Sequence, residues 1–165
     1  MPKRTRCPHC DRLFRRDQID EHILKCRYRE REKRARKRVV RRKKVVIDGN
    51  NLAYYLSPNG LPRCSNLVKA RNSLINAGYR PVIIVSAALK HKIDNTETLR
   101  AMIRNGQVIE ARRGTSDDLA IINYAQKYNT DIVSNDRFLD WLDRYPWLPD
   151  RLKKYRMTPS GLILI

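Results

Sequence analysis

The stretch Val45-Val46-Ile47-Asp48-Gly49-Asn50-Asn51 limits the possible folds more than any other. Three β-branched apolar residues stop at an acid, a glycine and two asparagines. A strand buried on both faces of a parallel sheet reads as a short unbroken apolar run. One that ends in a polar residue delivers it to the carboxyl edge, where open α/β sheets bind ligands. The chain after it alternates strand and helix. The spacing predicts a helix over 65–77 stopped by Gly78, a strand over 81–85 and a polar loop over 86–95. A helix over 96–104 and a short strand over 108–111 follow. Next come a helix from Asp117 to about Tyr128, with Leu119, Ile122 and Ala125 on one face, and a strand stub at Ile132-Val133. A helix from about Arg137 to Arg144 and a hairpin around Pro159-Ser160-Gly161 complete the order. This is a three-layer α/β domain over 45–165 with a parallel sheet and right-handed crossovers. Cys64 has no histidine near it in sequence and reads as a structural, partly buried thiol.

In such a sheet the acids converge. Asp48 and Asp136 each follow a strand, so they share one edge. Asp117 and Asp118 open a helix that runs antiparallel to the strands and so begins on that edge. Each alone fits a helix cap or a favourable place in a helix dipole. Together they offer the oxygen ligands that Mg²⁺ or Mn²⁺ takes in phosphodiester hydrolysis.

Charge marks a second boundary. Residues 1–44 hold 19 of the 36 Lys and Arg and 6 of the 17 Asp and Glu. About two thirds of the formal charge of +19 therefore precedes the first strand. Such a balance points to a polyanion, of which nucleic acid is the commonest. No apolar run approaches the roughly 18 residues of a membrane span, and no apolar segment follows the basic Met1–Arg6 stretch, so neither a membrane partner nor secretion is expected. The expected place is a reducing cytoplasm, with the nucleus left open.

Within 1–26, Cys7, Cys10, His22 and Cys26 follow the pattern C-x2-C-x11-H-x3-C. Three thiolates and an imidazole suit tetrahedral Zn²⁺, with the first pair in a knuckle turn and the second four apart on a helix. Asp17 is the expected cap of that helix, with Asp20 and Glu21 in its first turn. The unit resembles the C2HC variant of C2H2-type zinc fingers. Residues 27–44 hold twelve basic residues and two acids, Glu30 and Glu32, without Pro or Gly. The finger helix can run on here, with Glu30–Arg34 and Glu32–Arg36 pairs. The run reads as a phosphate-binding arm, with a solvated tail or localisation signal as the alternative. Arg34, Arg38, Arg41, Arg42 and Lys43 are its candidate contacts, joined by Arg112, Arg113 and Arg137 beside the acids.

The motifs Val-Val-Ile-Asp48-Gly-Asn-Asn51-Leu-Ala, Asp117-Asp118-Leu-Ala-Ile and Ile-Val-Ser134-Asn135-Asp136-Arg-Phe resemble the NYN branch of the PIN-domain nucleases, and most closely the Regnase (MCPIP) ribonucleases. The resemblance covers about 45–165. It implies an endoribonuclease acting on single-stranded RNA or loops through Mg²⁺ at an acidic centre. It carries Asp48, Asp117, Asp118 and Asp136 over as the acidic residues and Asn51 as the active-site asparagine. In that family the finger is of the CCCH type and follows the nuclease, whereas here a C2HC finger precedes it, so no RNA target carries over. Two other readings keep the same residues: a non-catalytic nucleic-acid-binding or assembly factor with a nuclease-like fold, and a DNA-directed nuclease. A homodimer is also left open.

Overall fold

A computed structural model describes residues 4–37 and 42–165, giving the backbone alone at 28 and 30–37. The chain divides into two units, Met1–Arg41 and Arg42–Ile165. Among the described residues, no helix is long and apolar enough to cross a membrane.

In the first unit, β1 (Arg4–Arg6) pairs antiparallel with β2 (Leu13–Arg15), and α1 (Ile19–Lys37) follows. The helix starts later than the acid pattern suggests. His22 N bonds the Gln18 carbonyl, which makes Gln18 the cap, while Asp17 lies 3.9 Å from Arg15. Of the unit's described side chains only Cys7 and Ile19 are buried. A unit with so little core needs a metal or another staple to hold its shape.

The second unit is built on five parallel strands: β3 (Lys43–Asp48), β4 (Tyr79–Val85), β5 (Val108–Glu110), β6 (Asp131–Val133) and β7 (Leu152–Lys153). Their order in the sheet is β5-β4-β3-β6-β7. The chain winds outward from β3 through β4 to β5, then returns to lay β6 on the other side of β3. The reversal between β3 and β6 is the switch point at which such sheets open a crevice beyond their carboxyl ends.

Alternation along β3 and β4 makes the three layers. Val45, Ile47, Ile83 and Val85 face a core shared with α2 (Gly49–Tyr54), α3 (Cys64–Asn76) and α4 (Thr96–Arg104). Val46, Ile84 and Ile132 face the opposite core with α5 (Asp117–Tyr128), which buries Ile121, Ile122 and Ala125. Ile122 and Ala125 are buried as expected, while Ile121 takes the place of Leu119, which is half-buried. Full burial of a Val or Ile side chain contributes roughly 1.5–3 kcal/mol, which pins the register of β3 against β4 and β6.

Three elements escape the sequence pattern. The first is α2, which begins immediately after Asp48. Gly49 permits it: a Cβ there would lie 2.5 Å from Val85 Cγ1 and 2.7 Å from the Ile84 carbonyl oxygen. The others are α6 (Leu148–Arg151) and the two-residue β7, which pairs Ile132 with Leu152. The helix expected over 137–144 is absent. Asp136 Oδ1 accepts from Phe138 N at 2.8 Å, and Phe138 takes a left-handed conformation at φ 51°. A short acidic side chain that bonds its own backbone two residues on competes with helix formation. Only a 3₁₀ turn, Leu139–Trp141, follows. The terminal hairpin, β8 (Tyr155–Thr158) and β9 (Gly161–Leu164), forms as expected and packs on α3, where Leu162 N bonds Ser73 Oγ. Cys64 is fully buried at the start of α3. Its amide bonds Asp94 Oδ1 at 2.7 Å, and burial, with the Asp94 charge, pushes its thiol up to about 11.

Candidate functional site

The register of β3 on β6 pairs Ile47 with Val133, so Asp48 and Ser134 leave the sheet side by side. Ser134 Oγ donates to Asp48 Oδ2 at 2.8 Å and accepts from Asp136 N at 3.0 Å. One hydroxyl thus fixes the carboxylate of the first strand against the backbone that carries the last acid. Asp48 Oδ1 accepts from Asn51 N at 2.9 Å and caps α2. Asp48 is only 4% exposed. Burial pushes its carboxyl up to about 6, assisted by the charges of Asp117 and Asp118 and opposed by the Asn51 amide and the Ser134 hydroxyl.

Two asparagines on α2 tie the remaining segments to this centre. Asn50 Nδ2 donates to Ser86 Oγ at 2.8 Å and to Asp117 Oδ2 at 2.7 Å, while its Oδ1 accepts from Ser86 N. It spans from the end of β4 to the first turn of α5. Asn51 Oδ1 accepts from Asn135 N at 3.1 Å and from the Tyr155 hydroxyl at 2.8 Å. The Asn135 side chain in turn pairs with both backbone groups of Tyr155. Lys154 Nζ donates to the carbonyls of Asn135 and Asp136.

Asp48, Asp117, Asp118 and Asp136 all line one cavity of about 380 Å³, with Asn51 and Asn135 beside them and Tyr54 and Tyr55 on its wall. Burial pushes the Asp118 carboxyl up, followed by the charge of Asp117; a hydrogen bond from Trp141 pulls it down, and Asp136 and Asp140 add to the rise. Buried carboxylates pushed up by neighbouring carboxylates, as Asp48 and Asp118 are, sit where a cation would relieve the repulsion. Four carboxylates around one cavity supply the oxygen donors that a hard divalent cation takes.

The candidate cations are placed unevenly. Arg112, Arg113 and Arg137 are exposed; the first two follow β5 and the third follows Asp136. Arg42 and Lys43 stand at the start of β3, the opposite edge of the sheet, with Lys43 paired to Asp131 at 2.7 Å. The Arg34 side chain, and all of Arg38 and Arg41, lie outside the described residues. Sequence reading did not single out Asn50, Tyr155 or Lys154. The doubled asparagine after Asp48 was the only local signal for the first.

In the first unit, the ligand atoms of Cys7, Cys10, His22 and Cys26 all lie within 4.8 Å of one another. Cys10 Sγ is 3.2 Å from His22 Nε2, and the His22 ring stacks on Phe14 at 3.7 Å. Asp11 makes the knuckle, at φ 57°, with its amide bonded to the Cys7 carbonyl. Among the described residues this is the closed Cys₃His set that structural zinc takes.

A parallel sheet that gathers carboxylates at its switch point, with asparagines bridging them, defines a nuclease domain of the NYN class. The chain belongs to the Zc3h12a-like Ribonuclease NYN domain family, whose description matches residues 41–160. It is therefore an RNA nuclease domain by family. Nuclear proteinaceous RNase P 2 (PRORP2) from A. thaliana superposes with a TM-score of 0.61 at 19% identity, over 83% of this chain and 32% of that one. A second structure, Arabidopsis thaliana nuclear protein-only RNase P 2, gives 0.60 at 18%, over 90% and 34%. What is shared at that identity is the fold, and the chain spans about a third of those proteins' length. No curated protein matches it in sequence.

Proposed function

We propose that the Arg42–Ile165 unit is a Mg²⁺-dependent endoribonuclease, with Mn²⁺ able to replace Mg²⁺, that cuts single-stranded RNA or loop regions. The observation that carries this is the convergence of four carboxylates from three segments on one cavity, with Asp48 and Asp118 pushed up by burial and by their neighbours. Asp48 and Asp136 would hold the ion directly, and Asp117 and Asp118 through water. When bound, the ion supplies an activated water and neutralises charge on the scissile phosphate. Asp118 orients the attacking water. The new bond joins the water oxygen to phosphorus, and the bond from phosphorus to the 3′ oxygen breaks. The products are a 5′-phosphate and a 3′-hydroxyl. Ser134, Asn50 and Asn51 do not touch the phosphate in this scheme; they hold the acids in place. Tyr54 and Tyr55 offer the cavity wall to bases.

The Cys₃His unit is proposed to hold Zn²⁺, and the 27–44 run to raise the local concentration of RNA at the cavity. The deciding assay gives the purified protein single-stranded RNA and single-stranded DNA with Mg²⁺, with chelator, and as Asp48→Asn. Cleavage of RNA that needs both the ion and the carboxylate is expected. No cleavage, or cleavage that survives both losses, sinks the reading. Cleavage confined to DNA moves the substrate.

A further inference from the structure

We propose that the amino-terminal edge of the sheet carries a second RNA site, a cationic groove that grips the backbone of a single strand away from the acids. It rests on the reading that RNA is the substrate. The groove, about 370 Å³ in volume, lies between the starts of β3 and β4 and the helices on either side. Arg42, Lys44, Arg71 and Arg80 line it, and no carboxylate does. The one acid placed at this edge by the β3–β6 register, Asp131, is taken up by Lys43. Four cations around one hollow repel each other, and a row of phosphates is the ligand that relieves them.

Two further observations favour a nucleic acid over a solvated face. Arg71 is half-buried and its Nε is fully buried without a hydrogen-bond partner, so one donor of this guanidinium is left unused. The groove also has the aromatic component of single-strand binding. Lys44 Nζ lies 4.1 Å from the centre of the Tyr128 ring and 6.0 Å from that of Tyr124, and Lys127 Nζ lies 5.4 Å from Tyr128. The two tyrosine rings are 4.5 Å apart, and Tyr128 is largely exposed. One exposed ring, Tyr128, with ammonium groups and arginines beside it, gives an unpaired base a face to stack on while the backbone is neutralised.

The groove is remote from the cut. Lys44 and Asp48 are four residues apart on one strand, about 13 Å at the rise of a β-strand. Contacts there act on affinity and leave the chemistry alone.

The test uses the full chain, a labelled single-stranded oligouridylate and magnesium-free buffer, over a series of salt concentrations. Each cation lost from a single-strand site takes with it about 0.7 of a released counterion. Arg71→Ala with Arg80→Ala is expected to make the slope of log K on log salt shallower by about 1.4 and to weaken binding about tenfold near physiological salt. Arg80→Glu, at an exposed position that leaves the core untouched, is expected to weaken binding by at least as much as half that change. With Mg²⁺ present, the groove variants are expected to raise KM with kcat within about twofold. Parental affinity and slope in both groove variants overturn the proposal and leave the hollow to an acidic protein. If no variant and no parent cleaves, yet the groove variants lose affinity, the groove stands and the nuclease reading falls. If cleavage needs Asp48 and Mg²⁺ while groove variants bind unchanged, the reverse holds.

Discussion

Asp48→Asn separates stability from activity, and the direction is set by burial. The Asp48 carboxyl moves from an ordinary 3.8 to about 6 in the folded unit. The folded state therefore holds this proton to higher pH than the unfolded chain does. Stability is fully present below 3.8 and is lost as pH rises through about 6. At about 1.4 kcal/mol per tenfold, keeping the group ionised at neutral pH costs on the order of 3 kcal/mol. Asparagine has nearly the same shape, carries no charge, and can keep the bond from Asn51 N. Without metal, the variant is expected to be more stable than the parent by about 3 kcal/mol near pH 7.5 and by about 1 kcal/mol near pH 4.5. Saturating Mg²⁺, at about a hundred times its Kd, is expected to return about 2.7 kcal/mol to the parent and little to the variant. Both tryptophans, Trp141 and Trp147, lie in the nuclease unit, so urea melts followed by intrinsic fluorescence report on that unit alone. A variant less stable than the parent at pH 7.5 without metal, or a difference independent of pH, refutes the reasoning. Cleavage by the variant is expected to be lost in every condition.

Gly49→Ala drives a methyl into Val85 and the Ile84 carbonyl; a loss of about 1–3 kcal/mol in the same melts, with a fall in kcat, is expected because α2 carries Asn50 and Asn51. Tyr155→Phe removes the hydroxyl that bonds Asn51 Oδ1; it is expected to cost about 1 kcal/mol and to lower kcat more than it raises KM, and unchanged kcat counts against a positioning role. Cys7→Ser is expected to reduce the zinc measured per chain by elemental analysis, and parental stoichiometry contradicts the Cys₃His site.

The sheet and the edge to which the acids belong were legible because they depend on local pattern. An apolar run followed by Asp48, and a second run followed by Ser134-Asn135-Asp136, fix strand ends wherever the strands are placed. The bonds that hold the acids were not legible. Asn50 reaches Asp117, and Asn51 reaches Asn135 and Tyr155, through pairings set by the strand order, which no periodicity encodes. The helix expected over 137–144 fails at one residue: Asp136 spends its side chain on the Phe138 amide, and the apolar positions 138, 141 and 142 serve a turn instead. The doubled register of basic residues at 42–44 hid a division of labour. Lys43 pairs with Asp131, whereas Arg42 and Lys44 line the hollow on the same edge. Side chains that alternate in direction along one strand decide that split, and what each face meets is not visible until the neighbours are known.

The Tyr155 hydroxyl has a consequence in time. It joins Asn51 across 104 residues of chain, from a hairpin outside the main sheet. Synthesis proceeds from the amino end, and domains fold as their parts emerge. Asp48, Asp117, Asp118 and Asp136 are all made before the residue that locks Asn51. A nascent chain thus carries every acid while the asparagine bridge still lacks its outer bond. The order of synthesis thus puts the making of the acids before the fixing of the asparagine that braces them.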